Sequence, residues 1–215
     1  MISTIAYRLQ PRLAEAAQCY VGAGWPIAPG SWWDAVDARY RCAPAGCMTE
    51  GLHPTVPDTE AGASWRCQVS VARSSTQDVE QVARPWGSRP YSVLLPTGYV
   101  CDAVELRGAT AQRVQNLLAS YDLHGPIAAC PDGRILLFTV ATGPLDEDLT
   151  AEVTAAGALH HSKGSWVPLP PSPLAGGPVQ WTESPVATRW RLPSLQIVAD
   201  ALRLALRQPA LAEGT

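Results

Sequence analysis

Cys42, Cys47 and His53 lie in the run Arg-Cys-Ala-Pro-Ala-Gly-Cys-Met-Thr-Glu-Gly-Leu-His-Pro, with four and then five residues between them. No other stretch of the chain groups three soft metal ligands so tightly. Thiolate sulfur and neutral imidazole nitrogen suit a tetrahedral zinc ion. Pro44, Gly46, Gly51 and Pro54 let a short loop fold back so that such ligands converge. Structural zinc normally takes four protein ligands, and the nearest free thiol outside the run is Cys67, so the expected set is Cys42, Cys47, His53 and Cys67. Two other readings stay open: a loop with two reduced cysteines, and a local disulfide.

A second group is His160-His161-Ser162-Lys163-Gly164, two imidazoles beside the sole lysine and close to a glycine that admits a ligand near the backbone. With Arg134 it suggests a phosphate-binding edge, which makes Arg134, His161 and Lys163 the nucleotide-binding candidates. The competing reading is a solvated polar turn. Trp32 and Trp33, two of eight tryptophans, could stack bases or anchor a protein partner. They could equally pack beneath a long loop.

These residues need elements to hold them. At 215 residues the chain suits one well-buried core, and a single domain over 1–207 with a metal-loop excursion over 30–67 is expected. A net charge of −3 with 16% charged residues supplies no long-range positive field, so any nucleic-acid contact must be local. The N-terminal residues show no signal-peptide pattern and no apolar run reaches membrane-spanning length, so a cytoplasmic protein without a membrane partner is expected. In a reducing compartment Cys19, Cys101 and Cys130 read most simply as buried thiols.

Helical periodicity runs from about Ile5 to Ala23, Thr110 to Tyr121, Asp146 to Ala156 and Ser194 to Leu206, with a short capped helix from Ser75 to Ala83. Strand-forming runs occupy 25–29, 91–95, 99–106, 126–130, 134–140, 166–169 and 179–181. Asp132-Gly133 marks a tight reversal between two of them. Gly30 to Ser64 is a Pro/Gly-rich excursion without periodicity, and residues 208–215 read as a frayed tail. The alternation implies an α+β fold with helices on the faces of a sheet.

Several of these segments together resemble the actinobacterial bifunctional DNA primase/polymerase N-terminal (prim-pol) domain of the archaeo-eukaryotic primase superfamily. They are the first helix running into Gly24-Trp25-Pro26, the Cys42, Cys47 and His53-Pro54 spacing, Trp86, Thr97-Gly98 and Gly133-Arg134. Gly164 to Ser172, Gly176-Gly177 and Trp181 complete the set. Relatives often carry a further cysteine two positions before the first cysteine of the loop, where this chain has Tyr40. The resemblance implies an RRM-like sheet on which an Asp-x-Asp strand holds two divalent metals and a histidine on a neighbouring strand positions the nucleotide.

This chain departs from that pattern. Glu105 and Arg107 fall where the two aspartates belong, and residues two apart share a strand face, so one carboxylate would stand beside a cation that repels Mg²⁺. Asp102, three residues from Glu105, faces the other side of a regular strand. Ile135 falls where the resemblance places the histidine and can neither donate a hydrogen bond nor titrate. The expected function is a prim-pol-like binding or regulatory protein without polymerase activity, contacting single-stranded nucleic acid, nucleotide or a protein partner. One alternative is a residual Mg²⁺-dependent nucleotidyltransferase using Asp102 and Glu105 across a β-bulge. Another is a pure protein-interaction domain.

Overall fold

The structure is a computed structural model and describes residues 4–44, 47–55, 76, 78–142 and 147–207. Five helices are described: α1 (Thr4–Gly22), α2 (Val79–Val82), α3 (Gly108–Ser120), α4 (Glu147–Ala155) and α5 (Leu195–Arg207). The strands are β1 (Ala28–Gly30), β2 (Trp32–Asp34), β3 (Arg39–Arg41), β4 (Ser92–Pro96), β5 (Cys101–Arg107), β6 (Ile127–Ala129), β7 (Arg134–Val140), β8 (Leu159–His161), β9 (Trp166–Pro168), β10 (Pro173–Leu174), β11 (Gly177–Pro178) and β12 (Gln180–Glu183). The fold is α+β. Its principal sheet has the order β12-β6-β7-β5-β8 with every pairing antiparallel, and a second sheet has the order β1-β4-β9.

Period-two alternation along the central strands sorts side chains between two apolar layers. Val104, Leu106, Ile127, Ile135 and Leu137 face α3 and α5, where Val114, Leu118, Val198 and Leu202 meet them. Cys101, Ala103, Ala128, Leu136 and Phe138 face the other way, into a layer built by Leu13, Ala17, Tyr20 and Val21 of α1 with Trp25, Trp86 and Tyr91. Aromatic rings bind that second layer: Phe138 lies 5.5 Å from both Trp25 and Trp181, and Trp25 meets Trp190 edge-on at 5.4 Å. Each ring removes a large apolar area from water, so this layer anchors the faces of β5 and β7 that lead to the polar cluster described below.

Several elements differ from the sequence expectation. Trp32 and Trp33 belong to a hairpin, β2 against β3, inside the excursion that lacked periodicity. Trp32 is buried with its ring 5.4 Å from Tyr91, and Trp33 stacks edge-on with Tyr40 at 5.2 Å, so both tryptophans pack. The short helix starts at Val79 because the Asp78 carboxylate caps the Glu80 and Gln81 N–H groups. Ser75, the residue expected to cap it, lies outside the described residues. β4 and β5 are joined by the Thr97-Gly98 turn yet belong to different sheets. The expected hairpin at Asp132-Gly133 forms, with Gly133 in the left-handed region and its N–H donating to the Cys130 carbonyl at 3.1 Å.

Candidate functional site

β5 carries the chemistry because it is hydrogen-bonded on both sides, to β7 and to the edge strand β8, so its side chains are held between two neighbours. Its register with β7 runs unbroken from Cys101↔Val140 to Arg107↔Arg134. No bulge interrupts it, so Asp102 and Glu105 lie on opposite faces. The alternative in which a bulge brings them to one face is not met by this register.

Glu105 sits at the polar end of the aromatic face. Its Oε2 accepts from His161 Nε2 at 3.2 Å and from Arg134 Nη1 at 3.4 Å, while Arg107 Nη2 lies 3.6 Å from Oε1. Arg134 also donates to Asp132 at 2.7 Å, and Arg107 donates to the Asp132 carbonyl at 3.2 Å. The pleat dictates this convergence. Arg107 is directly across from Arg134, and Glu105 lies two residues along the same face. The hydrogen bond from His161 and the charge of Arg134 hold the Glu105 carboxyl below the ordinary glutamate range, against the desolvation of partial burial. Both carboxylates of this face, Glu105 and Asp132, are thus engaged by arginine.

Asp102 is fully buried on the helix-facing side. Its Oδ2 meets His160 Nε2 at 3.3 Å and accepts the Thr142 N–H at 3.2 Å, whereas Oδ1 has no hydrogen-bond partner among the described residues. Burial lowers the His160 basicity and the nearby Asp102 charge opposes that shift. Ile135 also belongs to the helix-facing side, packed with the α3 and α5 layer. The position assigned to the missing histidine therefore does not look onto Glu105 at all; Arg134 and Leu136 flank it on that face.

Lys163 is exposed in the turn that follows β8. That turn is pinned by Thr97, whose Oγ1 donates to Ser162 O at 2.6 Å and whose N–H donates to Ser165 O at 3.1 Å. Gly98, in the left-handed region, lies so close that an added Cβ would stand 2.3 Å from the Lys163 backbone. Ser165 Oγ lies 3.0 Å from His161 Nδ1 and fixes the ring from behind. Arg134, His161, Glu105 and Arg107 therefore form one cluster, with Lys163 two residues beyond His161. Sequence reasoning does not single out Asp132, Ser165 or His160 as partners. Only the strand register brings Asp132 beside Arg134 and Arg107, and only the pleat separates the two histidines.

The cysteine–histidine loop converges as the spacing predicts. One ligand atom each from Cys42, Cys47 and His53 lies within 4.8 Å of the others, and Cys47 Sγ is 3.5 Å from His53 Nε2. His53 Nδ1 lies 2.9 Å from the Gly51 carbonyl, which fixes that nitrogen as the donor and leaves the Nε2 lone pair toward the thiols. Burial keeps the His53 ring below its ordinary basicity, so the neutral form that a metal requires is favoured. The returning limb is tied to β1 by Ser31 N–H donating to His53 O at 2.8 Å and Thr55 N–H donating to Pro29 O at 3.0 Å. These residues fit a metal ion as three of its ligands. Cys67 lies outside the described residues. The Tyr40 hydroxyl is engaged by the Ala175 N–H, which it accepts at 3.4 Å, and burial raises its phenol pKa.

Among the described residues no helix is long and apolar enough to cross a membrane. No curated protein matches the chain significantly. A family model described as the bifunctional DNA primase/polymerase N-terminal domain matches residues 17–196, from the first helix to the start of the last and through both the metal loop and the β5 cluster. The chain belongs to the Prim-Pol family.

Proposed function

We propose that this prim-pol domain does not add nucleotides and serves as a binding or regulatory module for single-stranded nucleic acid or nucleotide, with zinc as the ion of its cysteine–histidine loop and the cytoplasm as its place of action. The observation that carries the reading is the state of Glu105. Two-metal phosphoryl transfer needs carboxylates free to bridge two divalent ions. Here Glu105 is already bound by His161, Arg134 and Arg107, and Asp132 by Arg134. Among the described residues, the one group of three or more side chains placed to share an ion is Cys42, Cys47 and His53. Arg107, whose contacts to the Glu105 and Asp132 carboxylates are the longer ones at 3.6 and 4.0 Å, and the exposed Lys163 supply cationic groups for phosphate on a chain whose net charge is −3.

The test is a primer-extension assay with Mg²⁺ or Mn²⁺, run beside salt-dependent binding of single-stranded DNA and thermal stabilisation by nucleotides. No extension together with binding that weakens as salt rises is expected. Extension that disappears in Glu105→Ala overturns the reading. Absence of extension and of both kinds of binding transfers the role to protein interaction.

A further inference from the structure

A cavity of about 190 Å³ opens between α3 and the edge strand β12, at the edge of the principal sheet opposite to β8. It is separate from the Glu105 face. Gln112, Gln115 and Asn116 line one wall because positions i, i+3 and i+4 share a helix face. Thr182 and Glu183 line the other, presented by a register shift in which Trp181 and Glu183 pair with consecutive residues of β6 and Thr182 is passed over. His124, Ala119 and Ile127 complete the lining, and the His124 Nδ1 is buried without a hydrogen-bond partner among the described residues.

The hydrogen bonds already made within the wall determine what remains for a ligand. Gln115 Nε2 donates to the Ala111 carbonyl at 3.2 Å, which leaves its side-chain oxygen free to accept. Gln112 Nε2 donates to Asn116 Oδ1 at 3.0 Å, leaving the Gln112 oxygen in the same state. The Thr182 hydroxyl donates its proton to the Ile127 carbonyl at 3.2 Å and keeps lone pairs. Glu183 adds a carboxylate that takes part in no ion pair among the described residues. The cavity therefore offers three acceptor oxygens and one carboxylate beside the Asn116 amide N–H groups and His124, and among the described residues its lining has no lysine or arginine. The Glu183 carboxylate disfavours phosphate and carboxylate ligands, and a ligand with several N–H donors and a positive charge is matched. A guanidinium fits better than an ammonium, since its planar fork can address the carboxylate in two bonds and still donate to the amide oxygens.

We propose that this cavity binds an alkylguanidinium, with Glu183 as its counter-ion and Gln112, Gln115 and Thr182 as acceptors. The inference does not depend on how the Glu105 face is used. Two sources share that chemistry: an arginine residue of a partner protein and a free small guanidine. The test follows the NMR signals of His124 and Gln115 during titration with N-acetyl-arginine amide, ethylguanidinium and N-acetyl-lysine amide. Saturable shifts with the guanidinium probes, and weaker ones with the lysine probe, are expected. Tighter binding of N-acetyl-arginine amide assigns the site to a protein residue, and equal binding assigns it to a free guanidine. Glu183→Gln, an edge-strand change that preserves shape, should weaken binding about tenfold or more, because the lost hydrogen bonds are charged. Gln115→Leu should weaken it by less. Absence of saturable shifts in the wild type overturns the proposal, and so does unchanged affinity in Glu183→Gln with the fold intact.

Discussion

His160 and His161 are neighbours on the edge strand β8, yet each meets a different carboxylate of β5 on a different face of the sheet: His160 lies 3.3 Å from Asp102, and His161 lies 3.2 Å from Glu105. The edge strand is clamped from above and below. The two contacts are unequal, because Asp102 is fully buried with one oxygen unpartnered among the described residues, whereas Glu105 keeps two arginines. Replacing His160 by alanine leaves the buried carboxylate with only the Thr142 N–H, and should cost about 2–3 kcal/mol. His161→Ala should cost about 1 kcal/mol. Chemical denaturation of the two variants checks the order, and equal losses would count against the asymmetry.

The Glu105 cluster should show itself in the pH dependence of stability. The carboxyl titrates lower in the folded protein than in the unfolded chain, so its ionised form contributes stability at pH values above the ordinary glutamate range. That contribution is lost as pH falls through the lowered folded-state value. Glu105→Gln should therefore be less stable than wild type at neutral pH, and the gap should close in strong acid. Melting curves across pH for both proteins measure it.

Introducing histidine at Ile135 tests the register directly. The sequence resemblance places a nucleotide-positioning histidine there, but the side chain packs in the α3 and α5 layer, away from Glu105. Ile135→His should give no primer extension and should destabilise the protein by about 1–3 kcal/mol, the cost of a partly buried polar ring without a partner. Gain of Mg²⁺-dependent extension would contradict the strand register.

Gly98 lies in the turn between β4 and β5 and packs against the Lys163 backbone. Its left-handed backbone and the 2.3 Å approach of a would-be Cβ to the Lys163 backbone leave no room for a side chain. Gly98→Ala should push the 162–165 turn away from Thr97, cost about 1–3 kcal/mol and weaken the proposed nucleic-acid binding through displacement of His161 and Lys163. Binding assays at a temperature where the variant stays folded separate the two effects.

Cys47→Ser should remove most of the zinc that we propose the loop holds, as read by elemental analysis, and loosen the loop between β3 and Thr55. Loss of a direct ligand should exceed the roughly 10- to 100-fold fall in affinity that follows when only the hydrogen-bond partner behind a ligand is removed. Wild-type protein purified without zinc would argue against the site.

Local sequence rules determined much of this protein. The helices follow from apolar spacing, the β6–β7 hairpin from Asp132-Gly133, and the metal trio from close spacing and turn residues. The opposition of Asp102 and Glu105 followed from the two-residue period of a regular strand, which is a property of the backbone alone. Register across strands was beyond that reach. It depends on long-range packing of Phe138, Trp25 and Trp181, and it decided that Arg134 and not residue 135 faces Glu105, and that Asp132 closes the cluster. The cavity beside β12 is tertiary for the same reason: a helix face and a bulged edge strand 60 and more residues apart meet there, and neither segment carries a sign of the other in its own sequence.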